Sequence, residues 1–348
     1  MTTIAKAYVA HSAKAPLEPW EFERRDLNPH DVQFDILYCG VCHSDLHQVR
    51  AEWGGEVFPM VPGHEIVGRV VAVGSDVSKF KIGDLAGTGC LVDSCRECNS
   101  CQHGMEQFCE NGPSFTYNGY EQDKKTLTQG GYSSSIVVHE DFTLRISDKL
   151  ELAATAPLLC AGITTYSPLR RWNIGKGDKV AVVGLGGLGH MGVKFAVAFG
   201  AEVTVLSTSP DKEEDARKLG AHKFVVTKDK TQMKSVSGSF DFILDTVSAP
   251  HDINAFLGLL KPQGVIVCVG IPPTPYQLHA FSLVSGSKVL AGSMIGGLPE
   301  TQEMLDFCAE HNVVSEIELI DIKNIDKAFE RMEKGDVRYR FVIDMSTL

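Results

Sequence analysis

The chain has 348 residues, 43% hydrophobic and 22% charged, the balance of a soluble globular protein of about two domains with length enough for a sizeable core. A formal net charge of −11, with no block of clustered Lys and Arg, excludes a nucleic-acid backbone as the main partner. The opening MTTIAKAYVAHSAK lacks a signal-peptide core, so the ten cysteines are expected to serve metal in a cytoplasmic chain rather than disulfides in a secreted one.

From the start to roughly residue 150 the chain reads as short strand-like runs punctuated by glycine: DVQFDILYCG, EIVGRVVAVG, YSSSIVVHE and FTLRIS. Turn residues at such intervals predict an irregular, mostly antiparallel β-barrel. Within it, GVCHSDLH supplies Cys42, His43, Ser44, Asp45 and His47, PGHE supplies His64 and Glu65, and PLLCAG, further on, supplies Cys160. Each alone reads as an ordinary buried thiol or a satisfied histidine, and spacing does not assemble them. Three protein ligands with one open position would nevertheless make a catalytic zinc site.

The run CRECNSCQHGMEQFC is more specific. It sets Cys95, Cys98, Cys101 and Cys109 at C-x2-C-x2-C-x7-C, a spacing that lets four thiolates surround one tetrahedral Zn²⁺ as a closed structural site. Two disulfides or an iron–sulfur cluster are the alternatives, and local disulfides are disfavoured in a reducing compartment. A nucleic-acid-binding zinc module would need a basic surround, whereas Asp93, Glu97, Glu106 and Glu110 stand against Arg96.

Beyond residue 150 the pattern changes. KVAVVG (179–184), EVTVLS (202–207), KFVVT (223–227), FDFILDTV (240–247) and GVIVCVG (264–270) alternate with helix-length segments, which predicts a parallel, doubly wound sheet. The segment 180–201 is apolar enough to mimic a membrane span, but its glycines, His190 and Lys194 fit a strand–turn–helix, so no membrane partner is expected. After about residue 290 the chain turns mixed and closes with YRFVIDM, a strand expected to rejoin the first domain. The expected organisation is a catalytic zinc-binding domain, 1–154 and 297–348, interrupted by a nucleotide-binding domain, 155–296.

The turn GLGGLG carries Gly184, Gly186, Gly187 and Gly189 between a strand and a helix, the context a dinucleotide-binding turn requires. Gly184 makes the tight turn, Gly186 lets the backbone approach a pyrophosphate, and Gly189 permits close helix–sheet packing. At the end of the next strand, where an acid would grip the ribose of NAD, stands Ser207. Ser207, Thr208 and Lys212 suit the 2′-phosphate of NADP instead, with Arg217 and Lys218 adding to the field. Ser209 is expected to cap the following helix, with Pro210 at its first position.

Taken in order, GVCHSD, GHE, the four-cysteine loop and GLGGLGH resemble the zinc-dependent medium-chain alcohol dehydrogenases. The longer runs YCGVCHSDLHQVRAEWG, VPGHEIVGRVVAVG, PLLCAGITTYSPL and GSMIGG are most similar to the cinnamyl alcohol dehydrogenase branch, whose members include broad-range NADPH-dependent aldehyde reductases. The resemblance implies a GroES-like β-barrel catalytic domain with an inserted Rossmann domain, two Zn²⁺ per subunit, NADP(H), an alcohol or aldehyde substrate and a homodimer. It implies Cys42, His64 and Cys160 as catalytic zinc ligands, with Glu65 able to approach the metal and Asp45 holding His64. Ser44 and His47 would relay the proton. His43, Leu188, Val247, Val269, Ser293 and Ile295 would join the glycines, Ser207, Thr208, Ser209 and Lys212 around the cofactor. Trp53, Cys90, Tyr117, Ile271, Met294 and Ile295 would line an apolar substrate pocket in the cleft between domains. An NAD-dependent polyol dehydrogenase is the competing enzyme, opposed by Cys160 and Ser207; a catalytically inactive nucleotide-binding relative is opposed by the full set of ligands and relay residues.

Overall fold

The computed structural model describes residues 3–348. The chain divides into two compact units, Met1–Ile163 with Gly296–Leu348, and Thr164–Ile295. The first division falls after Ile163 rather than after residue 154. The intervening apolar turns, Leu152–Thr155 and Ala156–Leu159, are buried and pack on the strands Asp31–Val41 and Ile66–Val73 of the first unit. No single helix among the described residues is long and apolar enough to cross a membrane.

The main sheet of the first unit runs, in spatial order, Leu144–Arg145, Leu85–Thr88, Ile66–Val73, Asp31–Val41, Arg340–Asp344, Ile317–Asp321, with Ser135–His139 also pairing Asp31–Val41. All pairings are antiparallel except that of the last two strands. Asp31–Val41 is the hub, contacted by three strands, and so it is buried along most of its length instead of alternating. The closing Arg340–Asp344 strand pairs with it directly, Val342 opposite Gly40. An N-terminal hairpin, Thr3–Val9 with Glu18–Arg24, adds a small separate sheet.

Arg24, at the end of that hairpin, is buried without a carboxylate. It donates through Nε to Ser135 O (2.9 Å), through Nη1 to Gln129 O (2.7 Å), and through Nη2 to Gly130 O (3.0 Å) and Ser133 Oγ (2.8 Å). Burial pushes the guanidinium pKa down to about 9, so the carbonyls, not an ion pair, hold it. The loop it fixes carries Tyr132, which reaches the site described below.

The second unit is a six-stranded parallel sheet in the order Lys223–Val226, Glu202–Ser207, Lys179–Val183, Phe240–Asp245, Leu260–Cys268, Val289–Gly292. This is a doubly wound order, with its switch point between Lys179–Val183 and Phe240–Asp245. Helices cover both faces, which is why the central strands read as continuous apolar runs. Ala181, Val183, Leu206, Ile243 and Ile266 meet Ile253, Phe256 and Leu257 in one core. The sixth strand, VLAG, was not expected from the sequence. It is four residues long and lies at the sheet edge, half exposed.

Candidate active site

Cys42 is the N-cap of the helix His43–Val49, and Asp45, three residues on, closes a capping box by accepting from Cys42 N at 2.9 Å. The same fully buried carboxylate accepts from Gly63 N at 3.0 Å and from the Tyr132 hydroxyl at 3.2 Å, and its Oδ1 lies 3.0 Å from His64 Nδ1. One acid thus fixes the start of a helix, a loop and a histidine ring. Burial opposes a charge on His64, but Asp45 and Cys90 raise its pKa well above the ordinary histidine value.

The structure brings Cys42, His64, Glu65 and Cys160 together, one ligand atom from each lying within 4.8 Å of the others, all buried. Hydrogen bonding from Cys160 holds the Cys42 thiol well below its ordinary pKa, against its burial, and the same interaction pushes Cys160 up. Glu65 Oε1 is paired with Arg340, a partner that sequence reading missed. Burial raises the Glu65 carboxyl pKa to about 7 in spite of that cation. Glu65 Oε2 is buried with no hydrogen-bond partner among the described residues. Two soft thiols, an imidazole and an orphaned carboxylate oxygen are a donor set that fits Zn²⁺.

Ser44 Oγ lies 3.6 Å from Cys42 Sγ, at the edge of this cluster. His47, one helical turn on, is partly exposed, and its Nδ1 lies 2.5 Å from Glu52 Oε2, a second partner not foreseen. The Trp53 ring also meets His47, tilted by 31° with centroids 5.1 Å apart. Tyr117 is buried with its ring 5.8 Å from that of His64, and Cys90 is half-buried with Sγ 4.0 Å from Leu159 O. His43 is exposed at the helix start.

In the second cluster the sulfurs of Cys95, Cys98, Cys101 and Cys109 all lie within 4.8 Å of one another. Main-chain N–H groups of Cys98, Cys95 and Glu110 donate to Cys95 Sγ, Cys109 Sγ and Cys98 Sγ, each at 3.4 Å. Donors aimed at sulfur stabilise thiolates, and those of Cys98 and Glu97 lower the Cys95 pKa to about 6. Cys95 and Cys101 sulfurs are 3.9 Å apart. That excludes a disulfide, about 2.05 Å, and is close to the edge of a tetrahedron with ~2.3 Å Zn–S bonds.

In the second unit, Gly184 turns the chain at φ 87°. A Cβ on Gly189 would lie 2.1 Å from Gly184 O, so helix and strand meet too closely for any side chain there. A Cβ on Gly186 would meet nothing within 4 Å. An open cradle at an uncapped helix start, Leu188 being an N-cap without a side-chain bond, fits a dinucleotide pyrophosphate. Lys212 Nζ donates to Leu185 O at 2.9 Å, which brings its charge onto this turn. Ser207 is buried. Ser209 does not cap with its side chain, because the chain first enters a 3-10 turn, Pro210–Lys212, instead of an α-helix; its N–H donates to Ser207 Oγ at 3.2 Å. Thr208 is exposed. Val247 Cγ2 would lie 2.9 Å from a Gly184 Cβ, and Ser293 N donates to Cys268 O at 3.2 Å. Val269 N donates to Asp245 O at 2.9 Å. Ile271 and Met294 are exposed, and Ile295 holds φ 41°, a conformation β-branched residues rarely adopt.

Comparison with known proteins places these features in a family. Residues 28–148 match the alcohol dehydrogenase GroES-like domain and residues 187–310 the zinc-binding dehydrogenase domain. The chain is 56% identical over 345 residues to the aldehyde reductase YahK of Escherichia coli, covering 99% of each. Its fold superposes on a cinnamyl alcohol dehydrogenase of Sorghum bicolor with a TM-score of 0.96 at 47% identity, covering 99% of this chain and 98% of that one. CAD from Helicobacter pylori, complexed with NADP(H), gives a TM-score of 0.94 at 42% identity over 99% of both chains. Two metal-ready cysteine clusters in a β unit, a glycine cradle in a parallel one, and relatives matched end to end lead to one conclusion: the chain belongs to the zinc-binding alcohol dehydrogenase family.

Proposed function

We propose that the chain interconverts primary alcohols and aldehydes, aromatic or aliphatic and of the cinnamyl type, by hydride exchange with NADP(H). The observation that carries this reading is the buried Cys42–His64–Cys160 set with Ser44 at its edge. Zinc held there, with Glu65 as a further donor, supplies a Lewis acid for the substrate oxygen, and the dinucleotide on the glycine cradle supplies the hydride. The second zinc is assigned to Cys95, Cys98, Cys101 and Cys109 and only holds its loop.

The residues of the chain do the remaining work. Asp45 accepts the Nδ1 proton of His64, which leaves Nε2 as the ligand atom and fixes the ring. Ser44 keeps a hydroxyl proton beside Cys42 for the substrate oxygen, and His47, backed by Glu52, exchanges that proton with solvent. Trp53, Cys90 and Tyr117 are assigned to the substrate side, where apolar walls favour hydrocarbon aldehydes over sugars. NADP is preferred over NAD because Ser207, Thr208 and Lys212 present donors and a cation where an acid would repel the 2′-phosphate. The ten cysteines, none of them in a disulfide, support a cytoplasmic site of action.

Initial rates of benzaldehyde and cinnamaldehyde reduction with NADPH and NADH test this. A preference for NADPH of about tenfold or more, ~1.4 kcal/mol, is expected. Equal rates would withdraw the cofactor assignment, and no turnover by enzyme that contains zinc would withdraw the activity.

A further inference from the structure

Asp245 ends its strand fully buried, and it is a hub. Its main-chain carbonyl accepts from Val269 N (2.9 Å) and Gly270 N (3.2 Å). Its Oδ1 accepts from Val247 N at 3.1 Å, and its Oδ2 from the Tyr276 hydroxyl at 3.4 Å and from His251 Nε2 at 2.8 Å. Val247 in turn packs on the glycine turn, and a Cβ on Gly270 would lie 2.4 Å from Val247 O. Ile271 N donates to Ser248 Oγ at 3.3 Å. The loops that follow two neighbouring strands are therefore tied through one carboxylate to the back of the cradle.

His251 is the member that ordinary packing does not explain. Its Nδ1 lies 2.9 Å from Ala249 O while Nε2 lies 2.8 Å from Asp245 Oδ2. Both partners are acceptors only, so both bonds exist together only when both ring nitrogens carry protons. A neutral ring would aim a lone pair at a carboxylate or a carbonyl. The side chain is 12% exposed and lies between the rings of Phe256 and Tyr276, centroids 5.5 and 5.3 Å away.

We propose that His251, held as an imidazolium by Asp245 and the Ala249 carbonyl, is a positioning residue for the dinucleotide, fixing the loops at 245–251 and 268–276 behind the glycine turn. This rests on the reading of that turn as the cofactor cradle.

Its pH dependence follows from the groups that face it. Asp245 from its own strand end and Asp252 at the next helix N-cap are the anions; Tyr276 and Cys268 come from the neighbouring loop and strand, and His279 acts on Asp252. Burial pushes the Cys268 thiol up to about 11, and the Tyr276 phenol is raised as well, so neither carries charge at neutral or mildly alkaline pH. The Asp245 bond raises the His251 pKa above 6.5, with burial opposing. The cation's contribution is therefore complete below 6.5 and is lost as pH rises through the folded-state value. Cofactor affinity falls with it.

NADPH affinity measured by nucleotide fluorescence on the zinc-loaded enzyme, across neutral to alkaline pH, tests the proposal. Wild-type Kd is expected to rise about tenfold along the alkaline limb, ~1.4 kcal/mol. His251→Gln is expected to start weak at neutral pH and stay flat, with the KM for NADPH raised far more than kcat is lowered, which also separates His251 from His279. Tyr276→Phe removes one hydroxyl and keeps the ring, so it is expected to raise Kd while retaining the wild-type pH profile. Histidine ¹⁵N spectra should show both His251 nitrogens protonated at neutral pH. A single neutral tautomer there, or wild-type Kd and pH profile in His251→Gln, would overturn the proposal alone. A wild-type enzyme that binds no NADPH at any pH would overturn the cradle reading and this inference together.

Discussion

Arg340 and Glu65 are 275 residues apart in sequence and form a fully buried ion pair beside the catalytic cluster. Gly40 leaves room for the Glu65 carboxylate, because a Cβ there would lie 1.9 Å from its other oxygen, Oε2. Removing the cation leaves an uncompensated buried carboxylate, and such losses cost about 3–5 kcal/mol. Arg340→Met is therefore expected to lower the urea-unfolding free energy by that order, with the Glu65→Gln/Arg340→Met double variant recovering most of it. Additive losses in the double variant would show that the pair is not coupled. Asp45 offers a test on metal. Loss of a carboxylate behind a ligating histidine weakens metal binding by roughly 10–100-fold. Asp45→Asn should fall from two zinc per chain to one on dialysis, the cysteine loop keeping its ion, as metal analysis would show. Retention of both zincs would mean that Tyr132 and the main chain hold His64 well enough without the charge.

At the scale of elements, the strand–turn–helix at Lys179–Ala198 allows two glycines to be separated by experiment. Gly189→Ala must displace backbone, since its Cβ would sit 2.1 Å from Gly184 O, and such overpacking costs about 1–3 kcal/mol. Gly186→Val meets open space, so its thermal midpoint should stay at the wild-type value while NADPH binding is lost to the side chain in the cradle. If Gly186→Val bound NADPH normally, the pyrophosphate would lie elsewhere. This turn was legible in sequence because local spacing encodes local geometry, and the central parallel strands were legible because burial on both faces makes them continuous apolar runs. The edge strand Val289–Gly292 is only four residues long and half exposed, and in the Thr3–Val9 strand the apolar Ile4 takes an exposed position, which blurs the alternation, so neither stood out. Cys42, His64 and Cys160 were bare thiols and an imidazole until resemblance assembled them. Arg340, Tyr132 and Glu52 touch the site through contacts made in three dimensions, which no spacing within their own segments announces.

At the scale of the whole molecule, the second unit ends on an unpaired edge. Among the described residues Val289–Gly292 pairs on one side only, with Leu260–Cys268, and Val289 is 43% exposed. Just before it the helix Ala280–Val284 buries none of its residues and shows Phe281 at 76% and Val284 at 72% exposure. An open strand beside bare apolar side chains invites uncontrolled pairing unless it is covered, and a second copy joined edge to edge would satisfy both the hydrogen bonds and the apolar surface. The enzyme is accordingly expected to sediment as a homodimer. A stable interface of this kind needs about 800 Å² from each partner, more than one strand offers, so the exposed helix must take part. Phe281→Glu with Val284→Glu should then shift sedimentation to the monomer while both zinc ions per chain remain. A wild-type monomer at micromolar concentration would sink the expectation, and a dimer indifferent to both substitutions would move the interface to another face.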